Sequence, residues 1–385
     1  MRDRSGRDRR KGASGSRRFS LLFASMATVA VTLIASSGEA GASRDLSAPN
    51  VLSRTTPFEV IGELPTPGNP SANGAAAIVI RLSGLLQPLR KLPTISPTLP
   101  GRWIVHRNEL IFRPRGALPS GTKVTVSIPS GSSGVHNLEG HPLARALSWS
   151  YTVGPGSLLG AEQMLAGLGY LPARFVAGTR KPWTVFERER EAFVPARGRW
   201  VWSWGAPTQL RSQWASGRPS PIVTGALMAF QAQENLPMTG VLDPQVWSAL
   251  LGAVTRPADN LDRAGYTYAL VDKAIPETMT VWHDGRVVLR ANVNTGIPQA
   301  PTSDGTYPVY ERLASQVMKG VNPNGSPYAD PVAWVAYFNG GDAVHYIARA
   351  DYGFPQSLGC VELPYAQAEA IWPALSYGTL VTVEG

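Results

Sequence analysis

The sequence predicts a multidomain, mainly β protein, with a β-sandwich, a small three-helix module and a mostly-β C-terminal domain. Three observations carry that reading. Glycine (39 residues) and proline (33) are abundant while only 16% of the 385 residues are charged, a balance that favours turns and strands over long helices or disorder. Short apolar runs bounded by turn residues recur from 57 to 153 and again beyond 266. Between these regions the apolar spacing lengthens to the three-and-four period of helices. The length suits two to four domains.

The formal charge of +9 does not announce a polyanionic partner. Residues 1–18 hold eight Arg/Lys against two Asp, so +6 sits there and +3 is left for everything after residue 18. Seventeen uncharged apolar or small residues follow, at 19–35. A basic flank before an apolar stretch marks residues 1–42 as an export signal or signal anchor. Ala40-Gly41-Ala42 offers an A-x-A cleavage site, and the apolar run nearly reaches spanning length, so a membrane anchor with its basic end inside is also open.

Residues 43–155 read as a linker and a β domain. Strands are expected at 57–64, 76–82, 103–106, 109–112, 123–128 and 147–153, spaced as in a sandwich. The runs around Leu110-Ile111-Phe112-Arg113-Pro114, Leu118-Pro119-Ser120-Gly121-Thr122 and Asn137-Leu138-Glu139-Gly140 resemble bacterial immunoglobulin-like modules of the surface-layer type. His106, His136 and His141 have no second ligand at metal spacing and read as structural or solvated.

Residues 156–255 change period. Ser157 caps an expected helix whose Leu158, Ala161, Leu165 and Leu168 share one face, stopped by Gly169. Thr224 is the expected cap of a second helix, and Asp243-Pro244 opens a third carrying Val246, Trp247 and Leu250. With Gly-Tyr-Leu after the first helix and Leu236-Pro237-Met238-Thr239-Gly240 after the second, the segment resembles a peptidoglycan-binding helical module. An insertion at 172–221 holds Trp183, Trp200, Trp202, Trp204 and Trp214 among several arginines. Exposed, such residues grip sugar faces; buried, they fasten an extra hairpin to the helices, which is the commoner use of large aromatics.

Residues 262–385 return to strands, expected at 266–273, 278–283, 286–292, 306–311, 332–338 and 343–347, with Asp284-Gly285 as a hairpin turn. His283 immediately precedes that turn, and a hairpin position explains it better than chemistry does. Pro364 starts a helix to about 375, and 380–383 closes as a strand.

Cys360 is the sole cysteine, so it has no disulfide partner within the chain. A lone cysteine is commonly a small buried hydrophobe, yet a cysteine with a nearby imidazole is also how a thiol nucleophile is made. Here His345 is followed fifteen residues later by Cys360 in the run Ser357-Leu358-Gly359-Cys360-Val361, just before the Pro364 helix. Asn294-Thr295-Gly296, Pro301-Thr302-Ser303-Asp304-Gly305-Thr306-Tyr307 and Trp334-Val335-Ala336-Tyr337-Phe338-Asn339-Gly340-Gly341 precede it. These pieces, in this order, resemble the catalytic domain of the L,D-transpeptidases over residues 262–385.

The resemblance implies a nucleophile at Cys360, a base at His345, oxyanion and loop support from Gly359 and Ser357, and substrate contacts from Trp334, Tyr337, Arg349, Tyr352 and Glu362. It implies peptidoglycan stem peptides and glycan strands as partners, with a tetrapeptide donor, a thioester on Cys360 and release of D-alanine. No cofactor or metal is called for, and the chain has no phosphate loop, no paired-cysteine or His-Glu-x-x-His motif and no basic recognition helix for nucleic acid. Three positions depart from the family pattern. Leu358 stands where histidine is usual, Glu362 where Arg or Asn is usual, and Tyr346 where a small residue commonly follows the histidine. Glu362 would disfavour a thiolate unless it faces a cation, either Arg349 or the substrate's ammonium group. Water as acceptor would give an L,D-carboxypeptidase, and a protein lysine an anchoring enzyme. A catalytically silent wall-binding protein is the reading from another class, and a general cysteine protease ranks below these.

Overall fold

The computed structural model describes residues 56–89, 91–178, 184–256 and 265–385; the expected export signal at 1–42, Trp183 and the start of the expected C-terminal domain at 262 lie outside them. No helix among the described residues is long and apolar enough to cross a membrane.

Seven strands build the first layer pair: β1 (Val60–Leu64), β2 (Ile78–Leu82), β3 (Thr94–Ser96), β4 (Gly101–His106), β5 (Glu109–Pro114), β6 (Lys123–Ile128) and β7 (Leu147–Thr152). They form one sheet in the order β1-β2-β5-β4 and another in the order β3-β6-β7. Alternating residues of each face inward, so Ile78, Ile80, Leu110 and Phe112 share a core with Val124, Val126, Trp149 and Tyr151. β3 escapes the sequence pattern because it is three residues long and flanked by Pro93 and Pro97.

The helical segment follows its caps. Helix α1 (Leu158–Leu168) begins where Ser157 Oγ accepts the Gly160 N–H at 3.0 Å and ends at Gly169, whose φ of 92° needs no Cβ. The insertion contributes β8 (Ala173–Ala177), α2 (Val185–Glu191), β9 (Gly198–Trp202) and α3 (Thr208–Arg211). Helix α4 (Pro221–Gln233) is capped by Ser220 and not by Thr224, which lies inside it and donates its hydroxyl to Ser220 O at 3.2 Å. The reason is Pro221: a proline with a capping serine before it fixes the first turn earlier than the first periodic residues suggest. Helix α5 (Pro244–Ala253) starts as expected, with Asp243 Oδ1 accepting the Val246 N–H at 2.8 Å. Trp200, Trp202, Trp204 and Trp214 pack against the core built from Leu165, Phe230, Trp247 and Leu250. These tryptophans fasten the β8–β9 hairpin to the helices.

The C-terminal part is two sheets and a helix. Strands β10 (Thr267–Asp272), β11 (Thr278–His283), β12 (Arg286–Asn292), β13 (Gly305–Pro308) and β18 (Leu380–Glu384) form a sheet in the order β12-β11-β10-β18-β13. Asp284 (φ 46°) and Gly285 (φ 80°) make the tight turn between β11 and β12. Strands β14 (Glu311–Val321), β15 (Pro327–Asn339), β16 (Asp342–Tyr346) and β17 (Val361–Leu363) form the second sheet in that order. Helix α6 (Tyr365–Ile371) follows Pro364, and its Ile371 joins Val271, Val281, Phe338, Val344, Val361 and Val383 in one core.

Two strands expected from sequence are redrawn. The single strand at 306–311 is split between β13 and the start of β14, and the strand at 332–338 is the end of a thirteen-residue β15. The β14–β15 hairpin was not foreseen, because its outer half runs beyond the core and lacks the apolar alternation that marks a half-buried strand. The helices and this domain are continuous: Tyr268 and Leu380 are buried in the helical core, and Gln209 Nε2 donates to Glu384 Oε1 at 2.9 Å.

Candidate active site

The site arises from two neighbouring strands. β16 and β17 run parallel with Val344 opposite Val361 and His345 opposite Glu362. Val344 and Val361 point into the core, so by the two-residue period His345 and Glu362 face the other way. Cys360, one residue before β17, takes the same side as Glu362. That side opens onto a cavity of about 710 Å³ lined by Cys360, His345, Arg349, Ser357, Leu358 and Glu362, with Tyr337, Gln316, Lys319 and Asp330 of the β14–β15 hairpin as the opposing wall.

His345 is buried, with Nδ1 3.1 Å from the Tyr346 carbonyl oxygen. A carbonyl only accepts, so Nδ1 carries the hydrogen and Nε2 holds the lone pair. Burial pulls the imidazole below its ordinary pKa, against the smaller opposing pulls of the Tyr346 carbonyl and Glu362. The Cys360 thiol, 3.7 Å from Gly341 O, is pushed up to about 12 by burial, with Asp342 and Glu362 adding and the Ala343 N–H opposing. Both shifts run toward the neutral forms, the thiol at Cys360 and the uncharged imidazole at His345.

The loop before the cysteine is held by hydroxyl and glycine. Ser357 Oγ donates to the Cys360 carbonyl at 2.6 Å and accepts the Gly359 N–H at 3.2 Å. That bond corrects one expectation: the Gly359 N–H is engaged with Ser357 and does not stand free for an oxyanion. Gly359 has φ 119°, and a Cβ there would lie 2.5 Å from Asp342 Oδ1, so only glycine fits.

Glu362 meets a cation of its own chain. Arg349 donates Nε to Oε2 at 2.8 Å and Nη2 to Oε1 at 2.6 Å, a bidentate pair whose carboxylate side chain is 3% exposed. Asn294 Nδ2 adds a bond to Glu362 Oε2 at 3.3 Å, while its Oδ1 accepts the Gly353 N–H at 3.1 Å. The backbones of Asn294 and Glu362 exchange bonds at 3.1 and 2.9 Å. Next to it, Thr295 gives its N–H and hydroxyl to the buried Glu277 carboxylate, both at 2.6 Å. Asn294 and Glu277 are the framework residues that sequence reasoning assigned no role; the Asn294-Thr295-Gly296 run was the available signal.

Two expected substrate contacts are not at the cavity. Trp334 turns to the opposite face, where its ring meets Tyr365 and Trp372. Its φ of 58° falls in a register shift between Ala333 and Ala336, and this bulge reverses the facing of residues along β15. Tyr352 gives its hydroxyl to Ile347 O at 2.7 Å, within its own loop, and is not part of the cavity lining. Tyr337 and Arg349 do line the cavity.

Residues 266–383 match the YkuD family, the L,D-transpeptidase catalytic domain. Residues 210–250 match a peptidoglycan binding domain, a span that takes in α4 and most of α5 and leaves out α1. Among solved structures, an L,D-transpeptidase from Mycobacterium smegmatis is 14% identical, with 86% of this chain and 100% of that one covered, at a TM-score of 0.30. An L,D-transpeptidase from Mycobacterium tuberculosis H37Rv is 15% identical, covering 85% and 98%, at 0.27. The catalytic domain of the Enterococcus faecium L,D-transpeptidase is 28% identical, covering 31% of this chain and 96% of that one, at 0.29. No curated protein matches.

Proposed function

For a chain carrying an L,D-transpeptidase catalytic domain at 266–383, we propose a cysteine-dependent enzyme that joins peptidoglycan stem peptides through a thioester on Cys360. The observation that carries this reading is the shared cavity face of Cys360 and His345, with the His345 tautomer set by the Tyr346 carbonyl.

Burial favours the protonated thiol, so attack and proton transfer go together. Cys360 Sγ bonds to the carbonyl carbon of the third stem residue as its proton passes to His345 Nε2 and the carbonyl electron pair moves to oxygen. The imidazolium returns that proton to the departing D-alanine nitrogen as the C–N bond breaks, leaving the thioester. The side-chain amine of a second stem then attacks, His345 takes its proton, and the sulfur leaves and is reprotonated. One amide is broken and one made, so no ATP is required. With Gly359 engaged by Ser357, the Cys360 N–H is the donor proposed for the oxyanion. The peptidoglycan binding domain supports retention on the glycan strands. Peptidoglycan lies outside the cytoplasmic membrane, and residues 1–42 supply the export signal or anchor that such work needs.

A silent wall-binding protein is the second reading, favoured by Leu358 and by the high thiol pKa. Mass spectrometry of the protein incubated with a purified disaccharide-tetrapeptide, beside its Cys360→Ala form, separates these. A cross-linked dimer lacking one D-alanine, made only with Cys360 present, is the expected result. Trimmed monomer alone would make the protein an L,D-carboxypeptidase. Neither product, with sacculus binding intact, would overturn the enzyme reading.

A further inference from the structure

We propose, resting on the cysteine-dependent reading above, that Arg349 is a positioning residue for the base. Its ion pair with Glu362 cancels the carboxylate that the strand register sets beside His345, and so keeps the imidazole able to take the Cys360 proton at neutral pH.

The backbones of His345 and Glu362 pair across adjacent parallel strands, about 5 Å apart in the ladder, and their side chains share one face. Glu362 is 2% exposed. A buried carboxylate at that spacing would hold a proton on the imidazole, and an imidazolium has no lone pair for the thiol proton. Arg349 prevents this by meeting both carboxylate oxygens, at 2.6 and 2.8 Å, while Asn294 fixes Oε2 from the other side. The acid stands two places after the cysteine, and the cation comes from the loop after β16.

Cys360, Lys319 of β14 and Asp342 of β16 line the same cavity as His345, and four groups act on its charge. Its own strand gives the Tyr346 carbonyl, β17 gives Glu362, the following loop gives Arg349, and β15 gives Asp330. Tyr346, Glu362 and Asp330 favour the charged ring; Arg349 and burial oppose them. Arg349 is thus the cation in the balance, and its removal frees Glu362 to act on the ring.

The test titrates His345 directly, by NMR of full-length protein labelled with carbon-13 histidine. The signal is assigned with His345→Gln, and the comparison covers wild type, R349Q, E362Q, R349Q/E362Q and R349K. The rate of Cys360 alkylation by iodoacetamide is followed by intact mass between about pH 5 and pH 9. R349Q is expected to raise the His345 titration by about one pH unit and E362Q to lower it, with the double variant back within a few tenths. The acid limb of alkylation should follow, and R349K, which keeps the charge, should titrate like wild type. Shifts in one direction for both single variants, or none in proteins that melt as folded, would reduce the pair to a structural brace and overturn the proposal. Should R349Q not fold, E362Q and the double variant decide, because neither buries an unpaired carboxylate. Neither readout needs turnover. Shifted titrations without transpeptidation products would sink the proposed function alone, and products with unshifted titrations would sink this inference alone.

Discussion

Cys360 and His345 open onto one cavity, and the hydrogen bond from His345 Nδ1 to the Tyr346 carbonyl fixes which ring nitrogen is left to act there. Gly359 is the tightest point of that arrangement. A side chain there meets Asp342 Oδ1 at 2.5 Å on a backbone that L-residues rarely adopt. We expect Gly359→Ala to cost about 1–3 kcal/mol of stability and at least tenfold in Cys360 acylation, read by denaturant melts and by mass spectrometry of the acyl adduct. Wild-type acylation in that variant would mean the loop before the cysteine tolerates displacement. At this scale the sequence was legible where chemistry constrains residue type. The lone cysteine, the histidine before it and the hydroxyl-glycine loop could be picked out in order. Trp334 could not be placed, because facing along a strand is read by counting in twos. The bulge between Ala333 and Ala336 shifts that count, so Val332, Val335 and Tyr337 share the cavity-side cluster while Trp334 turns away.

Among the elements, turns and all but one of the expected caps, that of α4, were readable, and long-range pairings were not. Ser157, Asp243 and the Asp284-Gly285 turn act through neighbours a few residues away, so their signals are local. The β14–β15 hairpin, which walls the cavity, and β17, which sets Cys360 beside β16, exist only because distant segments pair. Helix α2 was also unforeseen, although its capping box of Thr184 and Glu187 is local. It carries a titrating group. Burial pushes the Glu191 carboxyl up to about 7, with Glu187 adding repulsion and Arg188 opposing. Its folded pKa lies above its unfolded one, so the native state binds the extra proton. The charged form therefore costs stability above pH 7, and that cost fades as pH falls towards the ordinary carboxylate range. Glu191→Gln should stabilise the protein by about 1 kcal/mol at pH 8, after allowance for the solvent that reaches the group, and by nothing measurable near pH 5. Equal gains at both values would show that the effect is not ionic.

In the whole molecule, the helices and the C-terminal domain meet backbone to backbone. A Cβ on Gly378, whose φ is 80°, would lie 2.1 Å from Gly225 O and 2.8 Å from Ala229 N, and Tyr268 and Leu380 are buried among the helices. Shared burial of this kind couples unfolding. We expect the helical and C-terminal parts to melt in one transition, and Gly378→Ala to lower stability by about 2–4 kcal/mol in denaturant titrations. Two resolved transitions in the wild type would refute the common core. The sequence by itself determined the mostly-β class, the three helices and the candidate nucleophile and base, since periodicity, caps and reactive residue types are properties of nearby residues. Only the tertiary structure decided that Arg349 answers Glu362, that Gly359 gives its N–H to Ser357, and that a hairpin rather than Trp334 walls the cavity. Those outcomes depend on which strands lie side by side and in what register, and register is settled by packing across the fold.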